Sequence, residues 1–326
     1  MKLVIASRSG RLVVDGGLHI DAGETVDGLL AEMHSLSLKK LVRIPGKPIL
    51  VPERQRFTLP LVPGAVTADG KKARPVALAS GKKLSDYNLK DGDTLHFKDL
   101  GQQVGYVTVF FWEYFGPMAV YPLVYYLPKL LYPESMLQNG ECPRHPVQAI
   151  ATAYWSFHFA KRILETFFVH KFSHGTMPIF NLLRNCSYYW AFAAFVSYFV
   201  NHPLYTPPPF ERSKWALAGA MLMQAGNLYS HVILANLRPK GSKEYRVPRG
   251  FLFNYVTCAN YTFEILGWLL FNVATQSIPG ILFMFAGGYQ MTLWAIAKHK
   301  RLKRTFDGKE GREKYPRRFI ILPPLI

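Results

Sequence analysis

The chain is poor in cysteine, and its three, Cys142, Cys186 and Cys258, have no metal-ligand spacing and cannot all pair. That excludes a disulfide framework and a cysteine zinc site. No Gly-x-Gly-x-x-Gly run is present, which argues against a Rossmann cofactor domain, and there is no nucleophile elbow or metal-ligand cluster. The opening "MKLVIASRSGRLVVDGG" has too short an apolar run for a signal peptide, so the first domain is expected in the cytosol. Acids are scarce too: 21 Asp and Glu face 39 Lys and Arg, a formal net charge of +18.

What is plentiful is apolar bulk: 49% of the 326 residues are hydrophobic and 14% aromatic. Basic charge of this size suits either a nucleic-acid binder or a membrane protein with basic cytosolic loops. The basic residues here sit in short loops between apolar runs, which favours membrane lipid as a partner and no nucleic acid.

The first hundred residues read differently from the rest. "KLVIASRSGRLVVDGG" has the short strand-like runs of a hairpin, and "ETVDGLLAEMHSLS" has helical spacing at Leu29, Leu30 and Met33 with Thr25 as N-cap. "KKLSDYNLKDGDTLHFKDL" then supplies a turn and a closing strand. The order of elements, with its late Leu-Ser-Asp-Tyr-Asn, resembles a ubiquitin-like domain; an unrelated small α+β domain is the other reading. Beyond Gly101, apolar segments lie at about 104–128, 148–170, 186–201, 213–236, 251–274 and 277–298. Each is near the roughly 20 residues that span a bilayer. The expected fold is therefore a multi-pass α-helical membrane protein of about six transmembrane helices, residues 99–326. An N-terminal α+β ubiquitin-like domain, 1–98, precedes it. The basic tail "KHKRLKRTFDGKEGREKYPRRF" should be cytosolic, and an even span count puts the N-terminal domain on the same side.

Four polar groups interrupt the apolar half. His158, Lys161, Arg162 and Glu165 fall at i, i+3, i+4 and i+7, one helical face. They either line an interior cavity or mark a helix end whose basic side chains snorkel. Glu113 is the one acid of a long apolar run; it is buried beside a donor or sits at the interface with Trp112 and Tyr114. Asn227 and His231 share a face with Arg238 seven residues on, before Lys240, Lys243, Arg246 and Arg249. That set reads as a phosphate-binding cluster or as an ordinary positive-inside loop. In "NYTFE", Asn260, Tyr261 and Glu264 are related by i,i+3 and i,i+4 and are expected to form one patch.

Together "GQQVGYVTVFFWEYFGP", "FHFAKRILETFFVHKFSHGTMP", "NLLRNCSYYWAFAAF", "NHPLYTPP", "LRPKGSKEYRVPRGFLFNYVTCANYTFE" and "LWAIAKHKRLKRTF" resemble the very-long-chain trans-2-enoyl-CoA reductases. These belong to the steroid 5α-reductase superfamily of endoplasmic reticulum membrane enzymes, and the resemblance spans roughly 100–326. It implies NADPH-dependent reduction of the C2–C3 double bond of a very-long-chain trans-2-enoyl-CoA, within fatty-acid elongation and alongside other elongation enzymes. Carried over by motif, Lys161 and Tyr261 match positions that the enoyl-CoA reductases need. Glu113 matches the catalytic glutamate of the steroid reductases. Arg162, Asn227, His231, Arg238, Asn260, Glu264 and Arg318 fall in the NADPH-binding part of the resemblance.

There are departures. Phe159 stands where steroid reductases have Tyr, His231 replaces an acid, and Leu302 replaces a Tyr. The insertion "DGKEGREK" leaves the last contact to Arg317 or Arg318. The other readings are a 3-oxo-5α-steroid or polyprenol reductase of the same superfamily, a membrane methyltransferase, or an inactive scaffold. On the reductase reading, Tyr261 is the candidate proton donor for C2, Lys161 a cation beside it, and Glu113 an orienting group. No metal is expected.

Overall fold

The computed structural model describes the chain except residues 47, 62–63, 65, 67–72, 138–140, 173–174, 238–245, 310 and 326. It divides into two units, Met1–Val104 with Thr176–Ile179, and Gly105–Gly175 with Phe180–Ile326.

In the first unit, strands β1 (Lys2–Ala6), β2 (Leu18–His19), β3 (Gln55–Thr58) and β4 (Thr94–Asp99) form a mixed sheet of order β2-β1-β4-β3. The central pair, β1 and β4, is parallel with Ile5 opposite Leu95, and both outer strands are antiparallel. Alternation along β1 turns Leu3 and Ile5 inward, where they meet Leu95 and Phe97. Helix α1 (Val26–Leu38) lays Leu29 and Met33, one turn apart, on that core. Thr25 caps it as its spacing suggests, its hydroxyl accepting the Gly28 N–H at 3.1 Å. Gly17 has φ +82°, and a Cβ there would come 2.9 Å from the Leu3 carbonyl. Only glycine fits that turn. A separate two-stranded ladder joins β5 (Gln103–Gly105) to β6 (Thr176–Pro178).

The second unit contains α2 (Tyr106–Tyr126), α3 (Pro146–Phe168), α4 (Ile179–Val200), α5 (Phe210–Asn236), α6 (Ala259–Thr275) and α7 (Ile278–Thr305). One helix stands at each expected apolar segment. Three of the boundaries differ from the sequence reading, one of them the end of α7, seven residues past the expected 298. Helix α4 begins seven residues earlier than expected, at Ile179 directly after Pro178. Residues 251–258, expected to begin a span, instead form a short 3-10 turn (Phe251–Asn254) after Gly250, whose φ is +83°. An extended stretch follows, and its backbone pairs with the C-terminal tail. Thr257 N–H donates to Phe319 O at 2.9 Å and Cys258 N–H to Ile320 O at 3.1 Å. The Thr262 hydroxyl donates to Ile321 O.

Among the described residues, α7 alone is long and apolar enough to cross a membrane by length and composition. It is one continuous helix, started by Ser277, whose hydroxyl accepts Gly280 N–H, and by Pro279 in its first turn. Helices α3 and α5 bury polar side chains that offset their apolar residues.

The core of this unit is aromatic. Trp155 stacks on Tyr121 at 4.7 Å between centroids and meets Phe159, Trp268, Phe271 and Phe283. Phe159 is almost wholly buried there. Helices α5 and α6 approach at Gly226, where a Cβ would lie 2.6 Å from the Phe263 ring.

Candidate functional site

Lys161, on the inner face of α3, is buried, with its ammonium donating to Glu165 Oε1 at 3.2 Å and to Asn227 Oδ1 of α5 at 2.5 Å. The amide of Asn227 then donates through Nδ2 to the Asn260 carbonyl at 2.9 Å and to Glu264 Oε2 at 3.1 Å, both on α6. One side chain thus joins α3, α5 and α6. The other oxygen of Glu264 faces His158 Nε2 at 3.3 Å and accepts from Trp268 Nε1 at 3.2 Å. His158 Nδ1 meets Gln224 Nε2 at 2.7 Å, and the same amide donates to the Tyr154 hydroxyl at 2.8 Å.

Arg162 extends the network in the opposite direction. It donates through Nη1 to Glu165 Oε2 at 2.8 Å and through Nη2 to the Tyr114 hydroxyl of α2 at 2.8 Å, with its guanidinium 5.0 Å from that ring centre. His231 Nδ1 lies 3.1 Å from Glu165 Oε1 and 3.3 Å from Arg162 Nη1. Two cations, Lys161 and Arg162, therefore share the interior with two carboxylates, Glu165 and Glu264. Mutual pairing of this kind is what makes buried charge tolerable.

The residues expected from the sequence divide accordingly. Lys161, Arg162, Asn227, His231, Asn260 and Glu264 meet in this network, and the Asn260 side-chain oxygen is buried without a partner. Glu113 is buried on α2 with Asn185 as its polar neighbour, and its Oε2 has no partner either. Tyr261, one turn before Glu264 on α6, packs with Cys258, Ala295 and Ile321. Arg318 belongs to the tail, donating to the Pro248 carbonyl at 2.7 Å beside the Tyr315 ring. Arg238 lies outside the described residues.

Sequence reasoning placed His158 and Glu165 on the polar face of α3 without giving them a role, named Tyr114 only as an interface neighbour of Glu113, and passed over Gln224, Tyr154 and Trp268. Gln224, Asn227 and His231 do stand at i, i+3 and i+7, a signal of the same kind as that on α3.

Beside His231 a cavity of about 270 Å³ is lined by His170, Lys171, Arg246, Lys298 and Arg301, with Leu234 and Leu302 among its apolar walls. Among the described residues no Asp or Glu lines it. A larger cleft of about 690 Å³ on the first unit, between α1 and the segment 40–45, includes none of the residues expected of the site. Glu165, His170 and His231 bring ligand atoms within 4.8 Å of one another. Both Glu165 oxygens already serve Lys161 and Arg162.

The sequence model of the 3-oxo-5-alpha-steroid 4-dehydrogenase family matches residues 175–326. A probable very-long-chain enoyl-CoA reductase of Caenorhabditis elegans is 44% identical over 78% of this chain and 82% of its own length. A very-long-chain enoyl-CoA reductase of Dictyostelium discoideum is 43% identical over 89% and 90% of the two chains. A putative enoyl reductase of Schizosaccharomyces pombe is 33% identical over 99% of each. With its apolar helices gathered around one buried charged network and relatives of this identity over most of its length, the chain belongs to the very-long-chain enoyl-CoA reductase family.

Proposed function

We propose that this protein is a multi-pass membrane enzyme that reduces the C2–C3 double bond of very-long-chain trans-2-enoyl-CoA with NADPH. Its place is the last step of the elongation cycle in the endoplasmic reticulum, which also supplies sphingolipid synthesis. The observation that carries this reading is the mutually paired polar network of Lys161, Arg162, Asn227, Glu165 and Glu264 inside an apolar helical unit. Intramembrane ionisable groups that face inward and pair with one another mark a working site.

The residues suit a phosphorylated nicotinamide cofactor. The cavity walled by Lys171, Arg246, Lys298 and Arg301 offers cations to phosphate groups, and the unpartnered Asn260 oxygen offers an acceptor to an amide. Bound there, the cofactor supplies the hydride that C3 accepts.

The chain's own part is to polarise the thioester carbonyl, stabilise the charge that develops on its oxygen, and deliver a proton to C2. Tyr261 is the candidate proton donor. Lys161 is the fixed cation of the site, and Glu113, with one oxygen unpartnered, orients the substrate end. Phe159 lies within the aromatic core and has no hydroxyl to offer a steroid 3-oxo group.

The membrane reading rests on side chains that water would not leave uncovered. Phe180, Leu183, Trp215, Leu222, Ile278, Phe285 and Tyr289 are each 60–72% exposed. An apolar belt of that extent calls for lipid. Six spans put both termini in the cytosol, with the first unit as a ubiquitin-like domain available to other elongation enzymes.

The test is NADPH oxidation by the detergent-purified protein with a C16–C20 trans-2-enoyl-CoA, beside Tyr261→Phe. Turnover by the wild type, lost in the variant with NADPH binding retained, supports both the reaction and the role of Tyr261. Binding of NADPH without turnover on any enoyl-CoA would send the search to other enones.

A further inference from the structure

Glu165 has no assigned part in the reaction, yet both buried cations of the site pair with it. Its side chain is 1% exposed, and its two oxygens meet Lys161 at 3.2 Å, Arg162 at 2.8 Å and His231 at 3.1 Å. Two consecutive cations on α3 and a histidine on α5 thus converge on one carboxylate. We propose that Glu165 is the positioning residue of this site, fixing Lys161 toward the reacting end and Arg162 toward the cofactor; the inference rests on the reductase reading above.

Reach and charge decide how firmly each cation is held. A lysine ammonium is a point charge on a four-carbon stem with many rotamers, so it holds one position only where acceptors on two sides trap it. Glu165 Oε1 and Asn227 Oδ1 are those acceptors. The guanidinium of Arg162 is a planar fork, and Glu165 Oε2 with the Tyr114 hydroxyl fixes its plane. Because the carboxylate sits one turn along α3 from Lys161, the trap is built into one rigid element.

Without the charge of Glu165, two adjacent buried cations would face each other with Glu264 as the remaining acid of the network, and each would move toward it. A glutamine in its place keeps the volume and one acceptor oxygen, so it isolates the charge from the packing. An aspartate keeps the charge and shortens the reach.

The experiment compares Glu165→Gln, Glu165→Asp, Lys161→Met and the Glu165→Gln, Lys161→Met double variant. Steady-state turnover is followed with NADPH and a C18 trans-2-enoyl-CoA, and NADPH affinity by cofactor fluorescence. Contact pairs of this kind couple by about tenfold. Glu165→Gln should lower kcat and raise the KM for NADPH, each by about that factor. Glu165→Asp should recover part of both. In the Lys161→Met background Glu165→Gln should cost no further kcat while still weakening NADPH. Losses of kcat that multiply across the two substitutions, or a glutamine variant with wild-type constants, overturn the proposal. A wild type that turns over no enoyl-CoA overturns the reductase reading instead. The fluorescence titration then decides on Glu165 by itself: weaker NADPH binding in the glutamine variant supports its positioning role, and unchanged binding sinks it.

Discussion

Asn227 touches three helices with one amide, and its orientation is fixed by what surrounds it. The oxygen faces a cation, Lys161, and the nitrogen faces two acceptors, the Asn260 carbonyl and Glu264. Asn227→Asp preserves shape and reverses the second half of that arrangement, setting a carboxylate oxygen against two others. Leaving such buried groups unpaired costs about 1–3 kcal/mol. A lower unfolding temperature in detergent and a loss of NADPH affinity should appear together. In the first unit, Arg54 grips Asp99 through two hydrogen bonds, at 3.1 and 2.7 Å. Burial pushes the Asp99 carboxyl up, but Arg54 and the Gly101 N–H outweigh it and hold the group below its ordinary value. An acid held low in the fold stabilises it above the ordinary carboxylate range and loses that contribution as pH falls through the lowered value. Hydrogen exchange along β4 should therefore quicken on acidification, and Asp99→Asn should remove much of that pH dependence.

At the scale of the element, what was legible in the sequence follows from what is local. The polar face of α3 could be read because residues at i, i+3, i+4 and i+7 stand together on any helix. Its partners could not, since Lys161 and Asn227 lie 66 residues apart and only the packing of α3 on α5 joins them. The patch expected of Asn260, Tyr261 and Glu264 lies in the first two turns of α6. Successive residues turn by about 100° around a helix. Tyr261 therefore stands about 60° round from Glu264; it packs against Ala295 of α7 and Ile321 of the tail, while Asn227 of α5 bonds the Asn260 carbonyl and the Glu264 carboxylate. The 251–258 segment was apolar enough to pass for helix, but tail pairing takes its backbone hydrogen bonds. Gly226 sets the separation of α5 from α6, and Gly226→Ala should drive Cβ into Phe263 at a cost of about 1–3 kcal/mol. Gly219→Ala meets only the flexible end of Leu270, at 3.3 Å, and is the milder control in the same thermal melts.

Over the whole molecule, the sequence turns from short strand-like runs to long apolar segments after Gly101, and the chain divides into its two units after Val104. The position of the tail was not legible, since its register depends on backbone groups that α6 leaves open at its start. Residues 319–321 hold that start through Thr257, Cys258 and Thr262. They are also made after every helix of the site. A ribosome that has released α7 has therefore produced all six helices but not the strap that sets the first turn of α6, where Asn260 and Tyr261 stand. Protein truncated after residue 314 should insert in membranes like the full chain and yet bind NADPH weakly and turn over little, as a membrane-fraction assay would read. Damage to the stretch of message that encodes residues 315–321 would then yield a protein that inserts like the intact one and does little chemistry.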